Sequence, residues 1–142
     1  ARAYERLRKY DLQVADANQC VATEPTLVGS WIGRSIAYTN TKQYQKALDD
    51  LNEIQKRFPE EDIYQNRALI NLELNKLTDS ISDSTKSIEN MKEPRPGPYI
   101  NRAVAYEMSG KIDKATSDLE TVLKIDPTYR SAKDILNRLR KK

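Results

Sequence analysis

Apolar and small residues in this chain recur at the spacing of amphipathic helices, and whole stretches of that pattern recur about every 34 residues. Trp31, Ser35 and Tyr38 mark one helical face; Tyr44, Ala47, Leu51 and Ile54 mark the next, and Pro59 follows. The same order returns as Tyr99, Ala103 and Tyr106, then Ile112, Ala115, Leu119 and Val122, closed by Pro127. An offset of 34 carries Tyr4 to Tyr38, Tyr10 to Tyr44 and Pro25 to Pro59, and an offset of 35 carries Tyr64, Arg67 and Ala68 to Tyr99, Arg102 and Ala103. Helix pairs repeating at a fixed period predict an all-α solenoid, in which each unit buries its apolar face only against its neighbours.

Residue size supports this reading. Ser35, Ala68 and Ala103, with Ala47, Ser80 and Ala115, are small enough for paired helices to approach closely. Trp31, Tyr64 and Tyr99 on one rung, and Tyr10, Tyr44, Leu77 and Ile112 on another, are large enough to fill the gaps between units. Pro59 and Pro127 cannot continue a helix and push Phe58 and Asp126 out of the α region. The combination of aromatic, small residue and Tyr on one helix, small and large apolar residues on a second, and a closing Pro closely resembles the tetratricopeptide repeat. That family commonly has Leu before the small residue, where this chain has Arg34, Arg67 and Arg102, a departure expected to affect packing detail only. The resemblance implies a right-handed superhelical solenoid of antiparallel helix pairs, with about seven to eight helices.

On this register the chain is a single repeat domain, 1–142. Residues 1–25 form a truncated first repeat, 26–59 a full repeat, 60–94 a degenerate repeat, 95–127 a full repeat and 128–142 a capping helix. In the first, Ala1–Arg8 is expected to supply the tail of one helix and Tyr10–Glu24 a second. The degenerate repeat carries Ser80, Ser84 and Ser87 on its inner side; buried hydroxyls there need backbone or side-chain partners, so its second helix is expected to be the least stable element. Residues 94–98 read as a stiff loop, with Pro98 opening the next helix. Ala132, Ile135, Leu136 and Leu139 recur at helical spacing, and Arg138, Arg140, Lys141 and Lys142 gather at the carboxyl end, cations that suit a helix C-terminus.

Composition narrows the functional classes. The chain is 38% hydrophobic and 32% charged, which fits an elongated array with much surface per residue. Its net charge of +3 comes from interspersed acids and bases, so no pull towards nucleic acid is expected, and the inward positions lack the cations a phosphate backbone requires. No apolar run is long enough to span a bilayer and no signal-peptide pattern opens the chain; no membrane insertion and a soluble, cytoplasmic setting are expected. Histidine is absent, which removes the commonest general base and metal ligand. Cys20 is expected to be an inert thiol in a buried helix-pairing slot. Asp49 and Asp50 are expected on a solvent face, and Glu60, Glu61 and Asp62 at a helix start where the dipole favours acids; neither group has metal-loop spacing. With no glycine-rich phosphate loop, the chain is expected to be no enzyme and to use no cofactor or metal.

The resemblance implies a scaffold or adaptor that holds a partner peptide in a concave groove lined by the first helix of each repeat. Helical spacing places Ile32, Ile36 and Asn40 inward in one unit, with Gly33 beside them. The inward set continues with Gln65, Asn66, Leu69 and Leu72, then Ile100, Asn101, Val104 and Met108, with Glu73 and Glu107 at the margins. Asn66 and Asn101 each offer a donor and an acceptor to an extended backbone. Repeats that grip the acidic carboxyl-terminal tails of heat-shock chaperones share the Asn-Arg-Ala segment found at 66–68 and 101–103. They also need a Lys and an Asn on the preceding first helix and a Lys and an Arg on the following one, where this chain has Ile32, Ile36, Gly97 and Asn101 around Asn66, and Gln65 and Leu69 before Asn101. A cationic carboxylate clamp is therefore not expected, and an extended or helical segment with aliphatic anchors is. The alternatives are a self-associating structural protein, and the repeat portion of a larger regulatory or secretion-assembly protein.

Overall fold

A computed structural model describes residues 2–141, so Ala1 of the truncated repeat and Lys142 of the cationic tail lie outside the described residues. The described chain is all-α, with eight helices: α1 (Arg2–Thr23), α2 (Val28–Asn40), α3 (Tyr44–Arg57), α4 (Tyr64–Glu73), α5 (Leu77–Asn90), α6 (Pro96–Met108), α7 (Ile112–Ile125) and α8 (Arg130–Arg140). Consecutive helices pack as antiparallel pairs, α2 with α3, α4 with α5 and α6 with α7. The contacts divide into two compact units, one ending at Ile63 and the other beginning at Tyr64.

In the first unit, α1 lies against α2, and α2 pairs with α3 around Trp31, Ala37, Ala47, Leu51 and Ile54, all buried. Trp31 satisfies its indole N–H by donating to the Pro25 carbonyl at 2.8 Å. In the second unit, α4 packs on both α5 and α6, and α8 closes over α7. The cluster at that end joins Ala103, Ala115, Leu119 and Val122 to Ala132, Leu136 and Leu139, so α8 covers apolar surface that α6 and α7 leave at their edge.

Each turn inside a pair is made the same way. Lys42, Asn75 and Gly110 take positive φ of 60°, 59° and 78°. Gln43, Lys76 and Lys111 then donate their backbone N–H groups to the carbonyls of Tyr38, Asn71 and Tyr106 at 2.8, 2.7 and 2.8 Å. This left-handed cap satisfies carbonyls that the end of a helix leaves without intrahelical partners.

Two expectations are corrected here. The first repeat contains one continuous 22-residue helix instead of a tail and a second helix. No Gly or Pro interrupts Arg2–Thr23, so nothing in the sequence there forces the helix to end. The helix expected to open at Pro98 starts two residues earlier, at Pro96, with Arg95 extended before it (φ −129°, ψ 141°). Phe58 and Asp126, each preceding a proline, do end α3 and α7, at φ −131° and −139°. All three inner serines of α5 are buried, but only Ser80 has a partner among the described residues, donating to the Ala68 carbonyl at 2.8 Å.

Candidate interaction surface

In the second unit, α4 and α6 are neighbouring first helices. Gln65, Asn66, Leu69, Leu72 and Glu73 follow one another at i, i+1, i+4, i+7 and i+8 on α4, and Ile100, Asn101, Val104, Glu107 and Met108 do the same on α6. Leu69 is 41% exposed and Met108 52%, while Leu72, Ile100 and Val104 are half-buried. Asn66 is exposed, and Gln65 and Asn101 are half-buried. The Gln65 amide lies where a β-carbon on Gly97 would come within 2.5 Å of its nitrogen, so the glycine at the start of α6 makes room for it. At the other end, Arg138 of α8 donates to Glu107 at 2.8 Å, setting an ion pair beside Met108. The surface is therefore aliphatic, with amides on one side and a paired charge at one end.

In the first unit, α2 presents Ile36, 46% exposed, with Ile32 half-buried and Gly33 and Asn40 exposed. The Asn40 amide points at Gln13 of α1, at 3.4 Å. A hollow of about 580 Å³ opens between α1 and α2, lined by Gln13, Ala17, Cys20, Leu27, Val28, Gly29, Ser30 and Gly33. Cys20 is exposed there, which corrects its expected burial: among the described residues no helix covers this side of α1.

The arginines expected to matter only for packing detail hold each helix pair together. The guanidiniums of Arg34, Arg67 and Arg102 each bind a carboxylate through two parallel hydrogen bonds. Arg34 meets Asp50 at 2.9 and 2.7 Å, Arg67 meets Asp83 at 2.9 and 2.8 Å, and Arg102 meets Asp118 at 2.8 and 2.7 Å. Asp50 is thus buried, not on the solvent face expected for it, because its partner lies on the opposite helix of the pair. Asn71 adds a third donor to Asp83 at 3.0 Å. The hydrogen bond to the carboxylate, outweighing burial, holds each of these guanidiniums above its ordinary pKa.

The arginines also sit over the aromatic rungs. Arg34 lies 5.1 Å from the Trp31 ring, Arg67 5.7 Å from Tyr64 and Arg102 5.8 Å from Tyr99. Arg102 reaches further, donating to Thr85 of α5 at 3.1 Å, and Arg34 reaches Asn18 of α1 at 3.4 Å. A signal was present in the sequence: Asp50, Asp83 and Asp118 step by the same intervals as the arginines, always 16 residues behind them. Among the described residues no three His, Cys, Asp or Glu side chains converge as metal ligands. No helix of the described residues is long and apolar enough to cross a membrane.

Comparison with known proteins places these features in context. Tetratricopeptide repeat family models match residues 33–61 and 97–129. Over 98 residues the chain is 36% identical to the mitochondrial import receptor subunit TOM34 of Rattus norvegicus, covering 68% of this chain and 31% of that protein. The chain spans less than a third of the length of the curated relatives it matches. The Arabidopsis OM64 TPR domain superposes with a TM-score of 0.74 at 28% identity, over 80% of this chain and 94% of that one. The second TPR domain of human RPAP3, solved in complex with the HSP70 peptide SGPTIEEVD, superposes at 0.70 with 24% identity, over 77% and 91% of the two chains, a likeness of fold.

Proposed function

The chain belongs to the tetratricopeptide repeat family, and as a protein–protein interaction domain of that kind it holds, we propose, an extended or helical partner segment with aliphatic anchors on the α4–α6 face. The observation that carries this reading is the exposure of Leu69 and Met108 beside half-buried Leu72, Ile100 and Val104. An aliphatic side chain from a partner would cover them, while Asn66 and Asn101 would meet its backbone groups. Nothing in the reading calls for catalysis, and the chain, which has no histidine, is taken as non-enzymatic.

A carboxylate-gripping mode is not part of the proposal. The positions that would supply cations to an acidic tail are Ile32, Gly97 and Asn101, and charge-assisted hydrogen bonds worth about 1.5–3 kcal/mol each are missing with them. The peptide SGPTIEEVD is therefore expected to bind this chain at least roughly 100-fold more weakly than it binds a repeat domain that has those cations.

The test is a peptide-display selection on the 142-residue chain, followed by titration of the selected peptides against Leu69→Asp and Val104→Asp. Two anchors lost together amount to about 3 kcal/mol or more, a weakening of roughly 100-fold, with helical content unchanged. Peptides that bind the double variant as tightly as the parent would sink the proposal.

A further inference from the structure

The second helices of the three pairs are not held alike. Helix α3 buries Leu48, Leu51 and Ile54, and α7 buries Leu119 and Val122. The buried side chains of α5 are Ser80, Asp83, Ser84 and Ser87, every one polar. Its apolar residues Leu77, Ile81 and Ile88 are only half-buried. Serine in place of a buried Leu or Ile forfeits most of the stabilisation that burial supplies, and α5 has serine at both slots in register with Leu51 and Ile54. Its four serines, with Thr78 and Thr85, are also types that bond to nearby backbone outside helices and so favour a helix less.

Hydrogen bonds fasten α5 in place of apolar burial. On its α4 side, Asp83 accepts two bonds from Arg67 and one from Asn71, and Ser80 donates to the Ala68 carbonyl. On its α6 side, Thr85 accepts from Arg102 at 3.1 Å. The Ser84 and Ser87 hydroxyls are shut off from solvent with no partner among the described residues, so each gives up water when α5 closes and gains no bond in return. Opening restores water to both. Helix α5 packs on both α4 and α6, more extensively than those two pack on one another, so the alignment of Leu69 with Val104 depends on it.

We propose that α5 is a gate for the α4–α6 face: it opens locally, at lower free energy than global unfolding, and a segment bound across Leu69 and Val104 holds it shut. The gating role rests on that face binding peptide; the local opening does not. The bound segment needs α4 and α6 aligned, so its affinity for the closed form exceeds that for the open one and shifts the population towards closure.

Native-state hydrogen exchange of the 142-residue chain, read by mass spectrometry, tests both parts. Without peptide, α5 amides should exchange at least about 100-fold faster than those of α3 and α7. The double variant Ser84→Ala with Ser87→Ala should slow α5 exchange at least about tenfold, and Asp83→Asn should speed it by at least as much, each leaving α3 within about twofold. A display-selected peptide at about 100 times its dissociation constant should raise α5 protection roughly 100-fold and leave α1 unchanged. Helix α5 amides that exchange together with those of α3 and α7, or that ignore the paired serine substitutions, overturn the local opening. A peptide whose binding is lost with Leu69→Asp and Val104→Asp, yet which leaves α5 exchange unchanged, overturns the gate while the peptide face stands. Peptides indifferent to those two aspartates defeat the peptide face, and the gate with it, whatever α5 does.

Discussion

The Arg102–Asp118 pair allows the contribution of the repeated ion pair to be measured. Both groups are largely removed from water, with side-chain exposures of 19% and 7%, and they share two hydrogen bonds of 2.8 and 2.7 Å. Removing one partner of a buried pair costs about 3–5 kcal/mol, because the other charge is left buried without compensation. Partial exposure of Arg102 lets water reach it, so Asp118→Leu is expected near the lower end, about 2–3 kcal/mol. Arg102→Leu should cost at least as much, since Asp118 is the more deeply buried group and the Thr85 hydrogen bond is lost too. The double Leu variant puts two apolar side chains beside Leu119 and Ala103 and should lose no more than about 1 kcal/mol. The coupling, about 3 kcal/mol or more, is read from urea unfolding of the four proteins followed by far-UV circular dichroism. If the single costs add to the double within about 0.5 kcal/mol, the pair is not a unit and the reasoning fails.

Other expectations follow from the same geometry. Ser84→Ala and Ser87→Ala should each stabilise the chain by about 1 kcal/mol in urea unfolding, because their buried hydroxyls lack protein partners, whereas Ser80→Ala should lose about as much with its bond to the Ala68 carbonyl. Lys42→Gly should stabilise by about 1 kcal/mol, since φ of 60° suits glycine and not lysine; a destabilised variant would count against the strain assigned to that turn. Asp126 is held below its ordinary carboxylate pKa, first by the Thr128 hydroxyl and then by the Thr128 backbone N–H. Its contribution is present above that ordinary value and is lost as pH falls through the depressed one, so Asp126→Ala should flatten the fall in melting temperature as pH drops below the ordinary carboxylate range, about pH 4.

The helices and their pairing were legible from the period, because large and small apolar residues in a repeat are constrained by their neighbours on both sides. The solvent-facing and hollow-lining positions were less so. Helical spacing on α3 alone puts Asp50 in water because it cannot show an arginine on α2. Cys20 shares the register of buried Ile54, but register alone does not bury a side chain, which also needs a helix to lie over it. The period alone hides the long α1, because Tyr4 and Tyr10 match Tyr38 and Tyr44 although no Gly or Pro breaks the helix between them. Leu69 on α4, and Val104 and Asn101 on α6, keep the helical spacing that groups them, but a partner's contribution to recognition is not written in this chain.

The Arg-to-Asp interval also records where the repeats tolerate change in length. Asp50 follows Arg34 by 16 residues, as Asp83 follows Arg67 and Asp118 follows Arg102, and the left-handed turn residue sits eight after each arginine. From Asp50 to Arg67 is 17 residues, but from Asp83 to Arg102 is 19. Added length thus falls at the junctions between hairpins and not inside them. For engineering, that makes Lys92–Arg95 a splice point where an epitope or a fluorophore-bearing loop can be accommodated, and makes each arginine-to-aspartate hairpin a cassette to be moved whole.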